Sequence, residues 1–234
     1  MIQSELKNEY QDLFKKFDID KKTGCLKNSP RIKFPTFPYV GSNYGNSKKI
    51  LIVGLDIGSD EKIGGIQSFE ERRQAIEEKP VSKHNPHIAG TYFTAIFFLK
   101  DDLNLQNYWN NLKNILSCQK ALQYQEKLPP INPLSYIALT NYYKFVSINR
   151  KKRTGGENRI HQDQKIELNF FIEEVKIFNP NIIVFQSNSF KYKKFLLKRL
   201  LDMGKSIYIG PHPAYRGKRE PDYFVKQILK VTTA

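Results

Sequence analysis

Cysteine is nearly absent from this 234-residue chain, which carries only Cys25 and Cys118. Two distant thiols cannot hold an iron–sulfur cluster by themselves, and they give no zinc-ligand spacing. No apolar run approaches the length that crosses a bilayer, and the opening "MIQSELKNEY" lacks the apolar centre of a signal peptide. The expectation is therefore a cytoplasmic protein with no membrane partner and no cofactor. Acidic residues are also in deficit: 23 Asp and Glu against 38 Lys and Arg, a formal charge of +15. Such an excess favours polyanionic partners, nucleic acid first among them. The same Lys, Asn, Ile, Phe and Tyr enrichment also follows from AT-rich codon usage, so the placement of the charge matters more than its sum.

A 40% hydrophobic content is enough for one sizeable core, and a single domain over 1–234 is expected. Within it, 1–35 reads as an N-terminal helical extension and 59–89 as an insertion with one charged helix near 69–78. Four short, β-branched apolar runs stand out: "KKILIVGLD" (48–56), "LSYIALTN" (134–141), "NIIVFQSN" (181–188) and "SIYIGPHP" (206–213). Nearly continuous apolar runs of this length suit parallel strands buried on both faces. Helical spacing appears between them at 164–178 and 189–202, with further helices expected over 108–123 and 219–231. Alternating strands and helices give a three-layer α/β/α fold around a mostly parallel four-stranded sheet.

Polar residues follow each strand. Asp56 lies just beyond the first, Asn141 ends the second, Ser187 and Asn188 end the third, and Pro211-His212-Pro213 follows the fourth. In a parallel sheet all of these emerge at the carboxyl edge, where open α/β sheets bind ligands. Asp56, Asn141 and His212 are thus expected to converge.

These strand ends resemble the uracil-DNA glycosylase superfamily. "ILIVGLDIG" is similar to its first motif, an apolar strand followed by Gly-x-Asp/Glu/Asn-Pro/Ala-Gly/Tyr. "GPHPAYRG" resembles its second motif, a His-Pro-Ser or similar after the last strand. "IALTNYYKF" resembles the intervening strand that ends in Thr-Asn, and "EEVKIFNPNIIVFQSNSF" resembles the helix, strand and loop before the second motif. The likeness runs through roughly residues 36–228 on a few short motifs. Ile57 replaces the usual proline or alanine, Ala214 replaces the serine, and Gly58 stands where the most uracil-specific branch has a tyrosine that shuts out a 5-methyl group. Glycine there leaves a C5-substituted pyrimidine conceivable.

The resemblance implies a monofunctional, monomeric DNA glycosylase that flips a base out and leaves an abasic site. It acts on uracil or another modified pyrimidine, in repair or in defence against phage DNA carrying modified cytosine. Asp56 would stabilise the cationic sugar and position water, and His212 would stabilise the departing base. Asn141 would read the Watson–Crick edge, with Tyr92 or Phe93 stacking on the extruded base. Basic residues after the strands, Arg150, Lys151, Lys152, Arg153 and Arg159, then Arg216, Lys218 and Arg219, would hold phosphates, and Tyr215 or Arg216 would fill the vacated stack. Two alternatives stay open: a catalytically silent nucleic-acid-binding module on the same fold, and an α/β hydrolase of a small nucleotide. His84, His87 and His161 carry a minority metal reading, and "DMGKS" fails as a phosphate loop because Arg199 occupies the required glycine position.

Overall fold

The computed structural model describes residues 3–55, 65–81, 85–147 and 164–232. Helix α1 (Gln3–Lys16) places Leu6, Tyr10, Leu13 and Phe14 on one stripe, and all four are buried in the core. The N-terminal helix therefore contributes directly to the core. Its helix stops at Lys16, and Asp18 takes a left-handed φ of 54°. A small antiparallel sheet follows, built from β1 (Cys25–Leu26), β2 (Ser29–Lys33) and, much later, β6 (Val146–Ser147).

The central sheet has six strands. In chain order they are β3 (Tyr39–Val40), β4 (Ile50–Gly54), β5 (Ile137–Asn141), β7 (Ile182–Phe185), β8 (Ser206–Ile209) and β9 (Leu229–Lys230). Their spatial order is β3-β5-β4-β7-β8-β9. The four inner strands are mutually parallel, as the apolar runs imply, while β3 and β9 close the edges antiparallel. Alternating residues of each inner strand enter different cores. Leu51, Val53, Ile183 and Phe185 join the cluster that includes α1, α6 (Gln164–Phe178) and α7 (Lys194–Asp202). Ile50, Ile52, Ile182 and Val184 join the cluster on the opposite face, with α3 (Pro86–Leu99) and α4 (Gln106–Leu112). Burial on both faces is what removes the period-2 signature from these strands.

Several helices differ from their sequence patterns. The 69–78 segment is α2 (Phe69–Arg73), capped by the reciprocal Ser68–Glu71 capping box, continuing into a π-turn over Gln74–Glu78. The 108–123 pattern is two helices, α4 and α5 (Cys118–Ala121), because Ser117 caps a new start by accepting from Lys120 N. In 189–202 a 3₁₀ turn over Asn188–Tyr192 precedes α7. The expected terminal helix over 219–231 is a correction. After the short α8 (Pro213–Arg216), only α9 (Pro221–Val225) is helical, and Leu229 then pairs with Ile209 as an edge strand.

Helix α6 ends where Asn179 adopts φ 42° and donates to the Val175 carbonyl at 2.8 Å, with Pro180 next. The chain then re-enters the sheet as β7 on the far side of β4 from β5. The sheet order thus reverses direction between β4 and β7, and the crevice outside their carboxyl ends is the topological switch point where such folds place ligands.

Candidate active site at the carboxyl edge of the sheet

Strand register brings three chain crossings to one level. Gly54 pairs with Asn141, Val53 with Phe185, and Phe185 with Ile209. The carboxyl ends of all four inner strands therefore align within about one residue. Asn141 is half-buried, and a Cβ built on Gly54 would meet its Oδ1, so a larger residue there would have to displace the Asn141 side chain. The ladder runs on past the strands, with Tyr142 N donating to Gly54 O at 2.8 Å and Tyr143 N to Leu55 O at 3.1 Å. Leu55 is the last described residue of this segment. Asp56 and Gly58 lie outside the described residues, as do Arg150, Lys151, Lys152, Arg153 and Arg159, and the histidines His84 and His161.

His212 emerges three residues beyond β8, as the N-cap of α8. Its side chain is open to solvent on one side and partly desolvated on the other, while Pro213 is buried beneath α3. A Cβ on Gly90 would stand 2.7 Å from the Pro213 Cβ, so glycine is what lets α3 and the His212 loop close on each other. Asn85 caps α3 by accepting from Ile88 N at 3.0 Å, and Pro86 occupies its first turn. That start places the His87 ring 5.3 Å from the ring of His212. Burial, with smaller contributions from His212 and Arg72, pushes the His87 pKa down to about 4. Burial also lowers that of His212. Both imidazoles are thus neutral at neutral pH, the form that donates one hydrogen bond without carrying charge.

The site contains two groups that the sequence reading passed over. Gln186, the first residue after β7, is 2% exposed. Its Nε2 donates to Thr91 Oγ1 at 2.9 Å, and Thr91 Oγ1 in turn donates to the His87 carbonyl. That chain fixes the amide orientation, since the hydroxyl has already used its proton. Gln186 Oε1 is buried and finds no partner among the described residues, and neither does the Nε of the half-buried Arg72. Unpartnered buried polar atoms are costly, on the order of 1–3 kcal/mol each, and sit beside the switch point. The available signal was a glutamine closing an otherwise apolar strand that is buried on both faces.

Tyr92 and Phe93 are a correction. Both rings belong to the α3-side core at 1% and 0% exposure, packed edge to face against each other with centroids 5.4 Å apart. They are core residues with no free face for a base. By contrast Tyr215 is 73% exposed. The Arg216 guanidinium lies 5.0 Å from its ring centroid and 5.8 Å from that of Tyr223, whose hydroxyl accepts from Arg216 Nη1 at 3.3 Å. Lys218 and Arg219 are exposed beside them. The loop after His212 therefore presents cations and aromatic faces to solvent.

Among the described residues no group of three His, Cys, Asp or Glu side chains gathers to hold a metal, and no helix is long and apolar enough to cross a membrane. Cys118 is buried, with a thiol pKa pushed up to about 12 mainly by burial, and Cys25 is half-buried and unpaired with it. Compared with known proteins, the chain matches no family model and no curated sequence.

Proposed function

We propose that this protein is a monomeric DNA glycosylase of the uracil-DNA glycosylase type, hydrolysing the N-glycosidic bond of uracil or another modified pyrimidine, including a modified cytosine. The observation that carries the reading is the register: the parallel strands that lead to Asp56, Asn141 and His212 end at one level of the carboxyl edge, β4 beside β5 and β8 one strand further across β7, on a molecule with 15 excess positive charges. In the proposed reaction water adds to the sugar C1′, the C1′–N bond breaks, and the base departs with the bonding electrons and then takes up a proton. Asp56 supports the cationic sugar and orients the water. His212, neutral because burial lowers its pKa, donates to the pyrimidine O2 as charge builds there. Asn141 offers a donor and an acceptor to the base edge, and Gly58 leaves room at C5. Lys218 and Arg219, with Arg150, Lys151, Lys152, Arg153 and Arg159, hold flanking phosphates.

The test is a panel of duplexes carrying uracil, hypoxanthine, hydroxymethylcytosine or glucosylated hydroxymethylcytosine, with alkaline cleavage as readout. Abasic product from one or more supports the reading. A folded protein that binds every duplex, releases no base, and binds equally as Asp56→Asn and His212→Ala is a silent nucleic-acid-binding module instead. Turnover of free nucleotides with no salt-dependent DNA affinity identifies a small-nucleotide hydrolase.

A further inference from the structure

Two large aromatic side chains stand in water where nothing in the fold requires them. Tyr192, at the end of the 3₁₀ turn after β7, is 86% exposed, and Phe195, in the first turn of α7, is 69% exposed. An isolated exposed ring is ordinary, but two rings three residues apart at a groove are not. They border an open groove of about 690 Å³, whose floor includes Leu55, Tyr142 and Tyr143. Those floor residues directly follow the carboxyl ends of β4 and β5. The groove thus lies at the same sheet edge as Asn141, but towards the α6–α7 layer, whereas His87 and His212 lie towards α3.

Among the described residues its charge has one sign. Lys193 projects its ammonium 4.5 Å from the Tyr142 ring centroid and 5.0 Å from that of Tyr143, and donates to Tyr143 Oη at 3.1 Å. A cation is therefore held in place within the groove. Lys194 lines it as well, Lys191 and Lys198 are exposed close by in sequence on the same 3₁₀ turn and helix, and none of the three forms an ion pair with a described residue. No acidic side chain among the described residues lines the groove. Aromatic faces for unpaired bases, interleaved with lysines for a phosphate backbone, are the chemistry of single-strand recognition. A duplex hides its base faces and has no use for exposed rings. A protein partner would have to be strongly acidic to tolerate four lysines around two rings.

We infer that this groove is a second nucleic-acid contact, one that binds unpaired DNA bases by stacking on Tyr192 and Phe195. It rests on the nucleic-acid part of the function proposed above and not on base release. A strand opened at the candidate active site is carried across the sheet edge onto these rings, so the substrate favoured is DNA with single-stranded character beside the target base.

The probe is a fluorescent oligothymidine of about 15 nucleotides, within the span of single-strand sites, with the corresponding duplex as comparison. In fluorescence anisotropy, Tyr192→Ala with Phe195→Ala should weaken single-strand binding about 10- to 100-fold while leaving duplex binding and thermal stability unchanged. Both residues are exposed, so the fold does not depend on them. Lys191→Gln, Lys194→Gln and Lys198→Gln together should reduce the slope of log affinity against log salt by about 2. The inference is overturned if the parent does not bind oligothymidine, if the double variant binds it as the parent does, or if duplex binding falls equally. Base release by the parent, measured separately on the duplex panel, separates the two readings: oligothymidine binding that depends on Tyr192 and Phe195 stands whether or not the parent releases bases.

Discussion

The imidazoles of His87 and His212 stand 5.3 Å apart although 125 residues separate them, and they join the first turn of α3 to the loop that follows β8. Burial favours the uncharged form of both rings, most strongly of His87. The folded-state pKa of His87 is about 4 against an ordinary value of 6.5, so the unfolded chain takes up its proton first as pH falls. Stability is therefore unaffected above pH 6.5 and declines between 6.5 and 4. Replacing His87 by Asn, which cannot ionise, should flatten the fall in melting temperature over that window. A scan of melting temperature against pH for parent and variant checks this; identical slopes would show that His87 does not carry the effect.

A buried polar network in the other layer should be sensitive to the loss of either charge. Lys144 and Glu174 form an ion pair inside the core, joined by the hydroxyls of Thr140 and Tyr10. Burial drives the Lys144 pKa down while Glu174 opposes it, and burial raises that of Tyr10. Glu174→Ala leaves the ammonium without its counter-charge, and a loss of about 3–5 kcal/mol in urea unfolding is expected. Pairing Glu174→Leu with Lys144→Met removes both charges and should recover most of that loss. A double variant as unstable as Glu174→Ala would show that the pair stabilises beyond charge compensation.

Gly90 sets how closely α3 meets the His212 loop. A methyl group there would lie 2.7 Å from Pro213 Cβ and 3.3 Å from Pro213 Cα, so Gly90→Ala must displace the loop. Overpacking of this kind costs roughly 1–3 kcal/mol. Base release should fall more than stability does, by tenfold or more, since misplacement by about 1 Å is enough to lower rates about 100-fold. Comparing single-turnover rate with unfolding free energy for this variant separates the two effects.

Phosphate contacts near His212 should appear in salt dependence. Lys218 and Arg219 are exposed, and Arg216 is half-buried between Tyr215 and Tyr223. Neutralising Lys218 and Arg219 to Gln should lower the duplex salt slope by about 1.8 if each meets one phosphate. An unchanged slope would remove them from the interface.

The four inner strands were legible because burial on both faces leaves an uninterrupted apolar run, and parallel order followed from the helices between them. What escaped was structure whose determinants lie elsewhere in the chain. β3 and β9 are two residues long and exist through pairing with Leu139 and Ile209, so no periodicity marks them. α3 escaped for the opposite reason: "GTYFTAIFFL" is buried almost all round, lacks a polar stripe, and betrays its helix only through Asn85-Pro86. That same burial explains why Tyr92 and Phe93, attractive as stacking rings in sequence, are core residues. At the candidate site, Asn141 and His212 were visible as polar residues closing apolar strands. The links from Gln186 to Thr91 and from His87 to His212 span about a hundred residues each and have no local trace.

The decisive measurement is single-turnover release of abasic sites from the duplex panel by the parent, Asp56→Asn and His212→Ala, with binding measured in parallel. A DNA glycosylase should produce abasic sites from at least one modified pyrimidine, and His212→Ala should slow this by about 100-fold or more without loss of binding. Asp56→Asn should slow it comparably. Equal rates in all three proteins, or no abasic product from a folded, DNA-bound parent, would contradict it.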